Sequence, residues 1–261
     1  MSAAGDARTA LVTGGARGIG WATVEELVRR DWRVAIGDVD GALARERAAT
    51  DPARLLALEL DVRSTESARA ACDAVVAKWG RLDLLVNNAG VARHAALATV
   101  SAEDWRFVLD VNLDGTLVCM QAAAHHMLAA GSGSIVNVVS VAAARGTVAR
   151  AAYAASKAAV VSLTRSAAVE WAARGVRVNA VGPGYVDTPL LRELVTDGSF
   201  RLDPVLARTP MGRLGAPEEI ARAIAFLGGH DSTYVTGQVL YVDGGFLADY
   251  GIPSGTEEGP S

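Results

Sequence analysis

Tyr153 and Lys157 stand four residues apart in the run YAASK, and Lys157 is one of two lysines in a chain with 23 arginines. That spacing puts both side chains on one face of a helix, one turn apart. A phenol titrates near ~10 and is a poor base at neutral pH. An ammonium beside it stabilises the phenolate, each unit of lowering being worth about 1.4 kcal/mol. A phenol lowered in this way can take a proton from an alcohol while hydride leaves its carbon. A tyrosine four residues ahead of a lysine is expected about 0.04 times by chance in this composition, so the pair is informative without being decisive. Ser140 lies 13 residues before Tyr153, at the end of the apolar run SIVNVV. A hydroxyl there can hydrogen-bond a substrate oxygen as charge builds on it. No G-x-S-x-G elbow surrounds Ser140, and His94, His125, His126 and His230 show neither a base partner nor metal spacing.

A second constellation sits near the start. Residues 11–20 read LVTGGARGIG, a strand running into Gly14, Gly15, Gly18 and Gly20 and then into a helix. Glycines let the turn adopt positive φ and let a pyrophosphate approach the backbone, while the helix offers free N–H groups to the anion. Gly14-x-x-x-Gly18-x-Gly20 is not G-x-G-x-x-G, and Gly15 to Gly20 has the glycine spacing of a P-loop but Trp21-Ala22 stand where Lys and Ser/Thr are required. Asp38 follows Gly20 by 18 residues, near the position of an acid that binds an adenosine ribose. A carboxylate there accepts from the ribose hydroxyls and repels a 2′-phosphate, which favours NAD(H) over NADP(H). Arg17 pulls the other way, because a basic side chain in the turn can meet a 2′-phosphate.

These residues need a scaffold, and the chain supplies one. Short β-branched runs at Ala10–Thr13, Arg33–Asp38, Leu55–Val62, Leu82–Val86, Ile135–Val139, Val176–Val181 and Gln238–Val242 predict seven strands, apolar on both faces. Helices are predicted over Gly18–Arg30, Ser64–Trp79, a long run opened by Ser101, Ala152–Ala173, and a last one from Pro217. The alternation predicts a doubly wound, Rossmann-type α/β fold with a mainly parallel seven-stranded sheet and helices on both faces. The rhythm fails between Thr188 and Ala216, which reads as a substrate lid, and 253–261 reads as a loose tail.

Composition agrees with one domain over residues 1–261. Hydrophobic residues make up 51%, charged residues 21%, and the net charge is -4. The absence of a dense Lys/Arg cluster argues against a nucleic-acid binder. No apolar stretch reaches the ~20 residues of a membrane span, and MSAAGDARTALV lacks the order of a signal peptide, which predicts a cytoplasmic protein. Cys72 and Cys119 make neither a disulfide framework nor a metal knuckle.

Taken together, these motifs resemble the short-chain dehydrogenase/reductase family in its short single-domain branch. The likeness runs over roughly residues 8–246, through TGGARGIG at 13–20, Asp61-Val62, NNAG at 87–90, Asn112 in VNLDG, Ser140, Tyr153-x-x-x-Lys157, and PGYVDT at 183–188. The resemblance implies a tetrad of Asn112, Ser140, Tyr153 and Lys157. Tyr153 would be the acid/base, Ser140 would position the substrate oxygen, and Lys157 would lower the Tyr153 pKa and hold the nicotinamide ribose. Asn112 would order a water leading from Lys157 to solvent. Gly14, Arg17, Gly18, Ile19 and Gly20 would form the phosphate turn, Asp61 and Val62 would flank the adenine, and Asn88, Ala89 and Gly90 would line the cofactor cleft. Pro183, Gly184, Val186 and Thr188 would meet the nicotinamide. A homotetramer is implied as well, through the 152–173 helix and the C-terminal strand region.

The expected pocket wall is Arg93, His94, Val141, Ala142, Arg145, Val148, Tyr185 and the lid, a mixture suited to a polyol, a cyclic ketone or a carboxylated alcohol. Arg93 and Arg145 are candidates to pair with a polar or anionic substrate group. The expected activity is NAD-dependent interconversion of a secondary alcohol and its ketone. Two readings compete with it: an NADPH-dependent 3-oxoacyl-carrier-protein reductase, and a protein that holds NAD without chemistry.

Overall fold

In the computed structural model, which describes residues 7–196, 198 and 200–249, seven strands form one wholly parallel sheet. They are β1 (Thr9–Thr13), β2 (Arg33–Asp38), β3 (Leu55–Glu59), β4 (Leu84–Asn87), β5 (Gly133–Val138), β6 (Val176–Pro183) and β7 (Val239–Val242). Their order is β3-β2-β1-β4-β5-β6-β7. The order reverses between β1 and β4, so a crevice opens beyond the carboxyl ends of those two strands, where ligands of such sheets bind. The predicted tail at 253–261 lies outside the described residues.

The helices follow from caps and apolar stripes. They are α1 (Gly18–Arg29), α2 (Gly41–Ala48), α3 (Thr65–Trp79), α4 (Ala102–Leu109), α5 (Gly115–Ala130), α6 (Ala151–Trp171), α7 (Pro189–Thr196), α8 (Asp203–Leu206) and α9 (Pro217–Gly228). Ser64 and Ser101 cap α3 and α4 by accepting from the backbone N–H three residues on, and left-handed Gly80 ends α3. Val24, Leu27, Ile220, Ile224 and Leu227 of α1 and α9 cover one face of the sheet together with Ala44 and Ala48 of α2. Cys72, Val75, Met120, Met127 and Ala167 of α3, α5 and α6 cover the other. Within β1, Ala10 and Val12 belong to the first layer and Leu11 to the second, the alternation of a strand buried on both sides.

Three expectations need revision. The long helix from Ser101 is two helices joined by a π-turn at Asp110–Asp114. Helix α2 was not anticipated; it is short and polar, started by the Asp40 carboxylate accepting from the Leu43 N–H. β3 stops at Glu59, where its partner β2 ends at Asp38, although Leu60 and Val62 stay buried. The stretch 188–216, where the strand–helix rhythm fails, carries α7 and α8. No helix among the described residues is long and apolar enough to cross a membrane.

Candidate active site

The glycine turn joins β1 to α1 at the crevice. Gly14 and Gly18 hold φ of +60° and +54°. A Cβ at Gly14 would lie 2.9 Å from the Ala89 Cα, and one at Gly20 would collide with the Gly14 carbonyl. The turn is braced from β4: Asn88 Nδ2 donates to the Thr13 and Gly14 carbonyls at 3.1 and 2.9 Å, and Thr13 Oγ1 accepts from the Asn88 and Ala89 N–H groups. Asn88 therefore acts on the turn with its side chain, while Ala89 and Gly90 follow along the crevice. Ile19 opens α1 and is partly buried. The first-turn N–H groups of α1 meet no acidic side chain of their own turn, which leaves room for an anion. This cradle, closed to any side chain and rich in N–H groups, fits a dinucleotide phosphate.

Asp38 ends β2 with one oxygen accepting from Ala16 N–H at 3.1 Å and the other from Asp40 N–H at 3.0 Å. Its carboxylate thus shapes the turn. Arg17 pairs with Asp40 at 2.5 Å on the exposed surface. Asp61 is chelated by Arg63, which holds its carboxyl below the usual range. Val62 is buried beneath Gly115.

The second wall is built of side chains at the ends of β5 and α6. Ser140 leaves β5 extended; its Oγ accepts from Ala142 N–H at 3.1 Å, and the hydroxyl pulls the Tyr153 pKa down. Lys157 is 4% exposed, and its Nζ donates to the Val138 carbonyl at 2.8 Å and lies 5.8 Å from the Tyr153 ring centre. Burial without a carboxylate partner lowers its pKa to about 8, so it remains an ammonium at neutral pH. The Tyr153 phenol is not lowered as the sequence suggests. Burial raises it above its ordinary value, while Ser140 and the Arg150 charge pull against that rise. Withdrawal from water outweighs both, and the Lys157 charge is not among the influences on it.

Asn112 sits in the π-turn, a distortion common at functional sites. Its Oδ1 accepts from Val91 N–H at 2.8 Å, and its Nδ2 donates to the Val91 carbonyl and to Ser156 Oγ. The side chain therefore clamps the segment after NNAG to α6. A Cβ at Gly90 would come within 3.3 Å of Asn112 Oδ1 and 3.4 Å of Lys157 Nζ, so a side chain there would crowd both groups. Asn87 braces the strands, donating to Asn137 Oδ1 at 2.8 Å.

The substrate side departs most from expectation. Arg93 reaches Asp104 at 3.7 Å and stacks on Phe107. Arg145 donates to the Leu247 and Asp249 carbonyls at 2.9 and 3.0 Å, tying down the chain after β7. Both arginines are engaged structurally. His94 Nε2 accepts instead from Arg150 Nε at 2.6 Å. Ala142 lies just past Ser140, in the turn Val141–Ala143. Tyr185 packs against Phe200 of the 188–216 segment at a tilt and meets Phe246 edge-on. Pro183 ends β6 and Gly184 follows it, Val186 is buried and bridges Gly215, and Thr188 caps α7 through Leu191 N–H while its methyl faces Gly18.

The family profile described as enoyl-(acyl carrier protein) reductase matches residues 14–247. The chain is 47% identical over 244 residues to cis-4-hydroxycyclohexanecarboxylate dehydrogenase of Sinomonas cyclohexanicum, covering 92% of this chain and 97% of that one. This chain belongs to the short-chain dehydrogenase/reductase family. A 3-oxoacyl-[acyl-carrier-protein] reductase FabG of Thermotoga maritima is 39% identical over 246 residues, 93% of this chain and 98% of that one. Among solved structures, that of gox2181 superposes with a TM-score of 0.89 at 36% identity, over 93% of this chain and 96% of the other. ElxO with NADP bound gives 0.88 at 33% identity, over 94% and 100%. As a short-chain dehydrogenase/reductase the protein is an oxidoreductase with a Rossmann-type nucleotide-binding fold.

Sequence reasoning missed Thr13, Ser156 and Arg150. Thr13 had a signal, standing at the strand end directly before Gly14. Arg150 had one too, three residues ahead of Tyr153 and so on its helical face.

Proposed function

We propose that the protein is an NAD(H)-dependent dehydrogenase that interconverts a cyclic or hydroxy-acid type secondary alcohol with its ketone. The observation that carries this reading is the convergence of Ser140, Tyr153 and a buried, still-charged Lys157 at the carboxyl end of β5. When bound, the nicotinamide would supply the hydride acceptor or donor. Tyr153 Oη takes the proton from the substrate hydroxyl, or returns it to the ketone oxygen. Ser140 Oγ holds that oxygen, and Lys157 Nζ holds a ribose hydroxyl. Asn112 fixes the Val91 segment against Ser156 and so maintains the space beside Lys157.

Gly14, Arg17, Gly18, Ile19 and Gly20 receive the phosphates, and Asp61 and Val62 the adenine. Asn88, Ala89, Gly90, Pro183, Gly184, Val186 and Thr188 complete the cleft. Asp38 supports NAD(H), because its carboxylate at the end of β2 would repel a 2′-phosphate. The name of the Sinomonas relative, a dehydrogenase of a hydroxylated cyclic carboxylate, supports the substrate class. We also infer a homotetramer. Val169, Tyr234 and Leu240 are 83%, 103% and 39% exposed on α6 and around β7, an apolar set that self-association would cover, and sedimentation velocity checks it.

An absorbance screen at 340 nm, with alcohols and NAD or NADP, tests this reading. Turnover with NAD on a carboxylated cyclic alcohol is expected, and no turnover on any alcohol or ketone would refute it. A second reading rests on the FabG relatives and the NADP-bound neighbour: reduction of a 3-oxoacyl thioester by NADPH. Efficient NADPH oxidation by an acetoacetyl thioester, with NADH inactive, would replace the first reading by the second.

A further inference from the structure

Arg150 stands one turn ahead of Tyr153, at the N-cap of α6. The backbone holds it there in two ways. Residue Ala149 adopts φ +56°, unusual for a residue with a side chain, and Ala95 N–H donates to the Ala149 carbonyl at 3.0 Å, forming a bridge between Ala95 and Arg150. The segment after NNAG is thereby stitched to the start of α6 at the mouth of the site. A non-glycine residue kept in this conformation costs energy and persists where the surroundings enforce it, often at functional sites.

The guanidinium is fixed on one edge. Its Nε donates to His94 Nε2 at 2.6 Å. Burial and the Arg150 charge both lower the His94 pKa, which keeps the imidazole neutral and able to accept. No ion pair among the described residues involves Arg150, and its two Nη groups have no protein acceptor among them. In contrast, Arg93 and Arg145 have found partners in Asp104 and in the carbonyls of residues 247 and 249. The charge of Arg150 also reaches the phenol, whose pKa it pulls down.

We propose that Arg150, oriented by His94, is a specificity-determining residue that receives the carboxylate of the substrate through its free Nη edge. A planar guanidinium with one edge already aligned loses little further freedom on meeting a carboxylate. It would hold an acid group at one end of a ring while the hydroxyl at the other end faces Tyr153 and Ser140. This assignment rests on the dehydrogenase reading above and narrows it to carboxylated alcohols.

The test compares the wild type with Arg150→Gln and Arg150→Lys. Each is assayed with NAD on 4-hydroxycyclohexanecarboxylate and on cyclohexanol, and each is titrated calorimetrically with cyclohexanecarboxylate and with cyclohexanecarboxamide. The wild type is expected to favour the acid. In R150Q the ratio of kcat/KM values, acid over cyclohexanol, falls by about 30-fold, mainly through KM, and R150K recovers part of it. Carboxylate binding weakens in parallel in R150Q, and carboxamide binding does not follow it. An unchanged ratio in R150Q, or equal losses on both alcohols, would overturn the proposal and leave Arg150 a structural tie. If the wild type turned over no alcohol while carboxylate binding still depended on Arg150, the dehydrogenase reading would fail and the anion site would stand.

Discussion

The two walls of the cleft are made from different materials. The wall beyond β1 and β4 is backbone: glycines at positive φ, free N–H groups at the start of α1, and side chains such as Thr13 and Asn88 that hold the turn rather than reach outward. The wall beyond β5 and α6 is side chain: Ser140, Tyr153, Lys157 and Arg150, each carrying a hydroxyl or a charge, set past the carboxyl end of β5 and on one long helix. A dinucleotide phosphate offers the same anion whatever the substrate, so a rigid peptide cradle suffices for it. Proton transfer and substrate choice need groups whose charge state matters, and burial has moved two of these pKa values in opposite directions from water.

That contrast can be broken at either wall. Replacement on the backbone wall has the largest expected effect. Gly14→Val forces a β-branched residue to φ +60° and drives a side chain toward Ala89. We expect dinucleotide affinity to fall by more than about 100-fold and stability by about 3 kcal/mol, read by calorimetry and denaturant unfolding.

Lys157→Met should separate function from stability. The folded pKa of Lys157, about 8, lies below its ordinary 10.5, so burying the charge costs stability throughout the range below pH 8. The cost fades as pH rises from 8 to 10.5, because the folded protein sheds this proton before the unfolded chain does. The variant should lose about 100-fold or more in turnover. It should gain about 2 kcal/mol at pH 7 after the lost Val138 hydrogen bond is counted, and that gain should shrink by pH 10. Urea melts at the two pH values check both signs.

Asp38→Ser tests the boundary between the walls. Losing the carboxylate should move the NAD-to-NADP preference, as a ratio of kcat/KM, toward NADP by about tenfold. An unmoved ratio would assign Asp38 to bracing Ala16 and Asp40 alone. The smallest effect belongs to a cap remote from the chemistry. Glu219, held to about 2 by Arg213 and the Ala216 N–H, caps α9. Its contribution is present above its ordinary pKa of 4.5 and is lost as pH falls toward 2. Glu219→Gln should cost about 1 kcal/mol at pH 7, discounted for its partial exposure, with turnover unaffected.

The same division governs what could be read in advance. Backbone features were legible because glycine, proline and β-branched runs act locally: the turn at 14–20, the strands and the caps at Ser64 and Ser101 follow from neighbouring residues. The short polar helix α2 was hidden because GALARERA carries little apolar periodicity, and its start depends on Asp40. The π-turn at Asp110–Asp114 interrupts what reads as one continuous helix, since a register shift leaves no compositional mark. Arginine partners were illegible for another reason. Arg145 meets carbonyls more than 100 residues away, and Arg150 meets a histidine 56 residues back, pairings that only the folded chain creates. Tyr153 was identifiable by spacing, but the direction of its pKa depended on how much water the fold removes.

The central claim is that the Tyr153 hydroxyl carries the proton. Pre-steady-state mixing of Tyr153→Phe with NAD and a carboxylated cyclic alcohol, followed at 340 nm beside a calorimetric titration of NADH, addresses it directly. Loss of the hydride-transfer rate by about 1,000-fold with dinucleotide affinity retained is the predicted result. Hydride transfer at the wild-type rate would contradict it.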